Sequence, residues 1–489
     1  MKRGEAMKER WLRRLTGLVL LCSTALCGCA VNPVTGQSEL MLVSEQEERQ
    51  LGDRTRGAVV EEYGVYDNAA LQDYVNGVAR PLAQLSHRPA LDWQFQVMDS
   101  PVVNAFAAPG GYIFVTRGLL AVVNDEAELA GVLAHEIGHV TARHSARKYS
   151  QSLLTGLGVQ LGASLAGSYG KVLGPLLEVG TGLLFLKYSR DDERQADALA
   201  VEYATKGGYD ANRMADFFVT LERQQTLEGG GGGALPEWFS THPSPVDREA
   251  AVRTQTAQWR SRLPARNYRI NGDAYLARID GLVYGEDPRQ GFREGEWFYL
   301  PQYQVQFRIP AQWSFAREGS RVQMTHPQKS GVVLFSVEKG TVDAVAGAFV
   351  SSMKAGVQQS GERTVNGMKA REIISVVVDG QQRAKVVSHF VQKGGEVLVF
   401  HGLADEAVFP QLSATLGQPA ASLAPLVDKA RLNRQPQRLL VRPVTRATTL
   451  ENFLQEQQVD RELWPRVAWM NELQLSDRLS AGQRVKIVK

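Results

Sequence analysis

Behind Asp125 and Glu128, the apolar residues Leu129, Val132, Leu133, Ile137 and Val140 recur at helical spacing. The acidic pair three residues apart reads as a capping box, so the pattern predicts an amphipathic helix from about residue 125. Arg143, Arg147 and Lys148 follow it, placed to complement the negative end of its dipole. Ser44 and Glu47 form another capping box and predict a helix leading out of a polar segment. A third helix is predicted from near Ser189 to Lys206, closed by Gly207-Gly208 as a left-handed cap. The strand-like stretch Trp93 to Met98 and the alternating run Tyr112 to Thr116 flank Asn104-Ala105-Phe106 and Pro109-Gly110-Gly111, and together they predict a small sheet before the first helix.

Residues 153 to 186 are mostly apolar but carry eight glycines, which speaks against the run of ~20 strongly apolar residues a spanning helix needs. Apolar helices packed over a buried site are expected there. The five-glycine run Gly229 to Gly233 precedes Ser240-Thr241-His242-Pro243 and is expected to form a flexible lid. Beyond about residue 263, strands are expected at Tyr303 to Ile309, Val332 to Val337, Arg371 to Val378, Ala384 to Val391 and Val397 to Phe400, with a helix over Val342 to Val357. Such a mixture predicts an α+β sandwich without a catalytic signature. The last 50 residues form a third, small unit, and no 34-residue period supports helical repeats.

At 489 residues the chain is too long for one compact core. Its 44% hydrophobic and 22% charged content is that of a folding chain. Lys2, Arg3, Lys8, Arg10, Arg13 and Arg14 precede a short apolar run from Leu15 to Cys27, the pattern of a signal peptide over residues 1–28. Leu26-Cys27-Gly28-Cys29 resembles a lipobox, which would leave Cys29 as the acylated first residue, and Ala30 after it favours the outer over the inner membrane. All three cysteines lie in this segment, so no disulfide is expected. Residues 1–28 also carry a net charge of +4, so the formal +3 falls to −1 without them. Nothing in that balance points to nucleic acid. The divisions expected are 29–262, 263–435 and 436–489.

His135-Glu136-Ile137-Gly138-His139 is the H-E-x-x-H pattern. Histidines four apart share one helical face and can reach one ion, with Glu136 beside them to take a proton from water that zinc has acidified towards pH ~7. A third ligand is needed, and Glu193 is the candidate, 54 residues after His139. Asp197, one turn on, would accept a hydrogen bond from a ligand histidine and fix its tautomer. Asp191 and Asp192 are nearby alternatives for the ligand. His144, nine residues from His135 at 100° each, falls on the opposite face and is set aside.

In these motifs the chain resembles gluzincin peptidases of the CAAX prenyl protease and HtpX type, in their periplasmic BepA-like lipoprotein branch. The likeness covers roughly residues 30 to 255. It rests on Asn32-Pro33-Val34-Thr35-Gly36, Asn104-Ala105-Phe106 with Pro109-Gly110-Gly111, His135 to His139, Glu193 to Asp197, and Thr241-His242-Pro243 with Arg248. The resemblance implies one Zn2+ per chain on His135, His139 and Glu193, Glu136 as general base, and Asp197 orienting a ligand. It implies that the strand carrying Gly110, Gly111, Tyr112 and Ile113 binds extended substrate at a sheet edge. His242 would either donate to the tetrahedral oxyanion or approach the metal as a latch.

Leu450 to Val488 resembles a LysM module, a kind that binds cell-wall glycan, so peptidoglycan is a possible partner. The expected fold is α+β: a mainly helical zincin-type domain with a small sheet, a sandwich, and the LysM-like unit. The expected function is a lipid-anchored, periplasm-facing zinc endopeptidase clipping unfolded or misassembled envelope proteins. A non-catalytic chaperone and a cell-wall hydrolase are the rival expectations.

Overall fold

The structure is a computed structural model that describes residues 29–155, 187–229, 238, 241–243, 247–318, 321–379 and 382–489. The expected signal segment, most of the apolar stretch 153–186 and most of the glycine run lie outside the described residues. Strands β1 (Cys29–Val31) and β2 (Ser38–Leu40) form an antiparallel pair that leads into α1 (Glu45–Tyr63), whose N-cap Ser44 makes the expected reciprocal box with Glu47. Helix α2 (Ala69–Gln84) follows, capped by Asn68.

Strands β3 (Gln94–Met98), β4 (Ala105–Ala108) and β5 (Tyr112–Thr116) make a sheet in the order β3-β5-β4, β3 parallel and β4 antiparallel to β5. This corrects the expected substrate edge. The Pro109–Gly111 turn folds β4 onto one side of β5 while β3 takes the other, so β5 has no free edge. Ile113 is fully buried in the main core, and Tyr112 packs beside Val59 and Tyr63 with its hydroxyl on Asp53. Gly110 (φ 83°) and Gly111 (φ 106°) are glycines because the turn needs left-handed backbone close to α1: a Cβ on Gly110 would lie 3.0 Å from the Arg49 Cα. The edge strands are β3 and β4, and β4, whose residues are all buried, packs beside the helix that carries the histidines.

Helices α3 (Arg117–Val122), α4 (Glu126–Thr141), α5 (His144–Thr155), α6 (Arg190–Lys206), α7 (Asn212–Gly229), α8 (Arg248–Arg262) and α9 (Gly272–Ile279) surround this sheet. Every residue of α4 is buried. Asp125 caps it through Glu128 N–H, but Glu128 turns back to the Asn124 N–H rather than to the cap itself. The three basic residues do not sit at its dipole. The helix ends at Thr141, Arg143 turns the chain with φ 59° and binds Glu48, and Arg147 and Lys148 on α5 face Asp192. Helix α6 closes at Gly207 in right-handed conformation, and the left-handed residue is Gly208.

Downstream, β6 (Phe292–Glu294), β7 (Trp297–Leu300), β8 (Val305–Arg308) and β16 (Ala424–Pro425) form one sheet in the order β16-β8-β7-β6. It faces a seven-stranded antiparallel sheet, β12-β13-β14-β15-β11-β10-β9, built from β9 (Ser314–Glu318), β10 (Arg321–Thr325), β11 (Gly331–Lys339), β12 (Gly356–Val365), β13 (Met368–Asp379), β14 (Gln382–Lys393) and β15 (Glu396–Asp405). Phe298, Phe307, Phe335 and Phe400 fill the space between. Helix α10 (Val342–Ser352) covers the other face, and α11 (Phe409–Ala421) lies against β15 and β14. The helix expected to reach Val357 stops five residues short, because Lys354 is left-handed and Gly356 starts β12.

The C-terminal unit runs β17 (Leu439–Pro443), β18 (Thr448–Thr449), α12 (Leu450–Glu456), α13 (Trp464–Met470), β19 (Arg478–Leu479) and β20 (Arg484–Val488), with β17 antiparallel to β20 and β18 to β19. It has no core of its own. Trp469, Met470, Leu439 and Ile487 belong to the same buried cluster as Leu120, Leu129, Met214 and Phe217, and so do Tyr275, Ile279, Leu282 and Val283, past the division expected at residue 262. The Lys486 ammonium is buried and donates to the carbonyls of Ala121, Val122 and Val123 at 2.9, 2.8 and 3.0 Å, capping α3 from the far end of the chain. Among the described residues no helix is long and apolar enough to cross a membrane.

Candidate metal centre

Two helices deliver the site. Gly138 lets α4 approach α6 closely: a Cβ there would lie 3.1 Å from the Ala196 carbonyl oxygen and 3.2 Å from its Cα. The contact sets the histidines of α4 against the carboxylates of α6. Ser189 caps α6 through a reciprocal box with Asp192, which also receives Arg147, so Asp192 is committed elsewhere. Asp191 is exposed and pairs with Arg194. Asp192 and Glu193 are both buried, but only Glu193 reaches the Nε2 atoms of His135 and His139.

His135, His139, Glu193 and His242 place one donor atom each within 4.8 Å of one another. His135 Nε2 lies 3.0 Å from His139 Nε2, and Glu193 lies 3.5 Å from the first and 3.4 Å from the second. His242 Nδ1 is 3.4 Å from His135 Nε2 and 3.1 Å from Glu193 Oε1. A tetrahedral ion with bonds of about 2.0–2.1 Å needs donors about 3.3–3.4 Å apart. The donor set fits such an ion. Glu136 stands beside the His242 corner, Oε1 at 3.6 Å from His242 Nε2, and neither of its buried oxygens has a hydrogen-bond partner among the described residues.

Each imidazole of α4 has its other nitrogen engaged. His135 Nδ1 meets Asp197 Oδ1 at 2.9 Å, as the spacing implied. His139 Nδ1 meets His144 Nδ1 at 2.9 Å, and His144 Nε2 meets Gln195 Oε1 at 2.9 Å. One proton pattern satisfies that chain: His139 donates to His144, and His144 donates to Gln195, leaving the His139 Nε2 lone pair for the ion. His144 is thus outside the donor set, as expected, but the ground for setting it aside fails, since it backs His139 from behind. Counting 100° per residue assumed one continuous helix, whereas the left-handed turn at Arg143 starts α5 at His144 and returns its ring to the site. The end of the apolar stripe at Val140 was the available signal.

Sequence reasoning also left Tyr188 and Trp238 without roles. The Tyr188 ring stacks on His139 at 3.9 Å between centroids, and Trp238 stacks on His242 at 4.4 Å. Arg248, at the start of α8, binds Asp197 through two bonds of 2.7 Å.

Burial dominates the electrostatics. It pushes the Glu136 carboxyl up from the usual range and the His139 imidazole well down. Burial opposes charge on His135 too, yet hydrogen bonds to Asp197 and Glu193 raise it to about 9. Glu193 is held well below its ordinary value despite burial, because His242, His135 and His139 surround it. Asp197 is likewise lowered against burial by Arg248 and His135. Glu193 and the crowded imidazole nitrogens together offer a cation both negative charge and lone pairs.

Comparison with known proteins agrees with this geometry. The profile of peptidase family M48 matches residues 67–256. A mitochondrial metalloendopeptidase OMA1 of Schizosaccharomyces pombe is 32% identical over 239 residues, 46% of this chain and 68% of that protein. The chain belongs to peptidase family M48. Its M48 region carries every residue of the centre. Bovine OMA1 is 32% identical over 232 residues, 45% of this chain and 44% of that protein. The Escherichia coli beta-barrel assembly-enhancing protease is 28% identical over 264 residues, 51% of each chain. The chain thus spans about half the length of these last two relatives. M48 peptidases are metal-dependent, in keeping with the donor set.

Proposed function

We propose that the protein is a zinc-dependent endopeptidase of the bacterial envelope that cleaves unfolded or misassembled envelope proteins. The observation that carries the reading is the donor set at tetrahedral spacing with a carboxylate, Glu136, beside its fourth corner that has no hydrogen-bond partner among the described residues. His135, His139 and Glu193 hold the ion. When bound, zinc supplies Lewis acidity for the scissile carbonyl and for water. Glu136 takes the proton from the attacking water and returns it to the leaving amine, a role suited to a buried carboxyl whose affinity for protons is raised. Asp197 and the His144–Gln195 pair keep both imidazoles presenting Nε2.

His242 acts as a latch in this reading, because its Nδ1 stands at the corner that substrate and water require, and the stacked Trp238 ring supports it there. Extended substrate would add to β4, the edge strand beside α4, in place of β5. Cys29 is the lipid anchor, more consistent with the outer membrane. The C-terminal unit has a βααβ order like a LysM module, and a cavity of about 670 Å³ lined by Thr448, Thr449, Asn452, Gln455, Arg446 and Arg478 offers the hydroxyl, amide and guanidinium groups that a glycan chain of peptidoglycan would meet.

The Glu136→Gln variant tests the reading. It should bind zinc like the wild type and lose casein cleavage by about 10²–10⁴-fold. Retained cleavage would refute Glu136 as the base. A cleavage-dead variant that still complements a deletion strain would instead support the assembly-factor reading.

A further inference from the structure

Arg248 is buried, and its guanidinium lies 3.7 Å from the centre of the Phe218 ring. Its Nε and Nη2 donate to the two oxygens of Asp197, at 2.7 Å each. The same Nη2 lies 3.4 Å from Glu193 Oε2 and 3.5 Å from His135 Nδ1. A bidentate fork of this kind fixes the plane of a carboxylate as well as its charge. Arg248 opens α8, six residues after His242, so it also ties the segment that carries the latch to helix α6.

Building on the zinc peptidase reading, we infer that Arg248 is a positioning residue of the metal centre, acting through Asp197 to hold His135, and through its contact with Glu193 to hold the carboxylate ligand. A simple charge argument predicts the opposite effect. In the form that takes a metal, with the imidazoles neutral and Glu136 ionised, the buried site holds three carboxylates (Glu136, Glu193 and Asp197) against one guanidinium, a net −2 that a divalent ion neutralises. If Arg248 mattered only as a charge, removing it would leave −3 and draw the cation more tightly. If it matters as a fork, removing it frees Asp197 to swing, loosens the His135 ring and weakens binding, as loss of the outer partners of metal ligands does. The two accounts differ in sign.

The test is zinc affinity of the apo protein, measured by competition with a chromophoric chelator, together with the unfolding midpoint of each apo variant. Arg248→Gln should bind zinc about 10–100-fold more weakly than wild type. Arg248→Lys keeps the charge without the fork and should also be weakened. In an Asp197→Asn background, Arg248→Gln should weaken binding by clearly less than it does in the wild type, since only the contact with Glu193 remains to be lost. Unchanged or tighter binding by Arg248→Gln overturns the inference, as does a full additional loss in the Asp197→Asn background. Should Arg248→Gln not fold, Arg248→Lys carries the same comparison, and wild-type affinity there overturns it equally. A wild type that binds no zinc refutes the proposed function itself, whereas normal wild-type binding with unaffected Arg248 variants refutes this inference alone.

Discussion

Among the described residues, Glu136 is the carboxylate of the centre left without a hydrogen-bond partner, and its Oε1 lies 3.6 Å from His242 Nε2. If His242 latches the site shut, His242→Ala frees the fourth corner while His135, His139 and Glu193 keep the ion. Casein cleavage should then rise, by roughly 10-fold or more if the closed arrangement dominates the population. Unchanged cleavage would remove the latch, and a loss of activity would favour oxyanion donation. At this scale His135, Glu136 and His139 were legible, because helical spacing alone puts them on one face. Glu193 and Asp197 were legible for the same reason. The roles of His144, Gln195, Tyr188 and Trp238, and that of Arg248 although it stands in a recognised motif, were not, since their proximity depends on a left-handed turn and on contacts between segments far apart in the chain.

The elements that present these residues depend on glycines at close approaches. Gly138 sets α4 against α6. Gly52 does the same for α1 over the turn before β5: an added Cβ would overlap the Pro109 carbonyl oxygen and lie 2.9 Å from the Tyr112 ring. Gly52→Ala should therefore lower the denaturation midpoint by the equivalent of about 1–3 kcal/mol, by pushing α1 off the sheet. An unchanged midpoint in a urea titration would show that the turn yields freely. Helix starts were readable from Ser44, Asp125 and Ser189 because capping chemistry is local. The order β3-β5-β4 was not, because alternation within Tyr112–Thr116 marks a strand without saying which neighbours take its two edges.

Across the whole molecule, the C-terminal unit is a wall of the peptidase core. Lys486 caps α3 just before the Asp125 N-cap of α4, Trp469 Nε1 donates to the Thr220 carbonyl at 2.7 Å, and Glu472 accepts from the Thr220 hydroxyl at 2.7 Å. Removing residues 436–489 would expose that apolar face and should leave the remainder aggregated or unable to retain zinc. A truncated protein with wild-type solubility and cleavage would mean the unit is a separable tether. The apolar positions of this unit were visible in the sequence, but what they pack against was not, because its contacts with α3 span more than 360 residues. The central claim concerns one ion on His135, His139 and Glu193. Its most direct test is metal analysis of purified, folded wild type beside Glu193→Ala. The account predicts one zinc per wild-type chain and a large loss in the variant; a folded wild type without stoichiometric metal, or a variant that retains it fully, would contradict it.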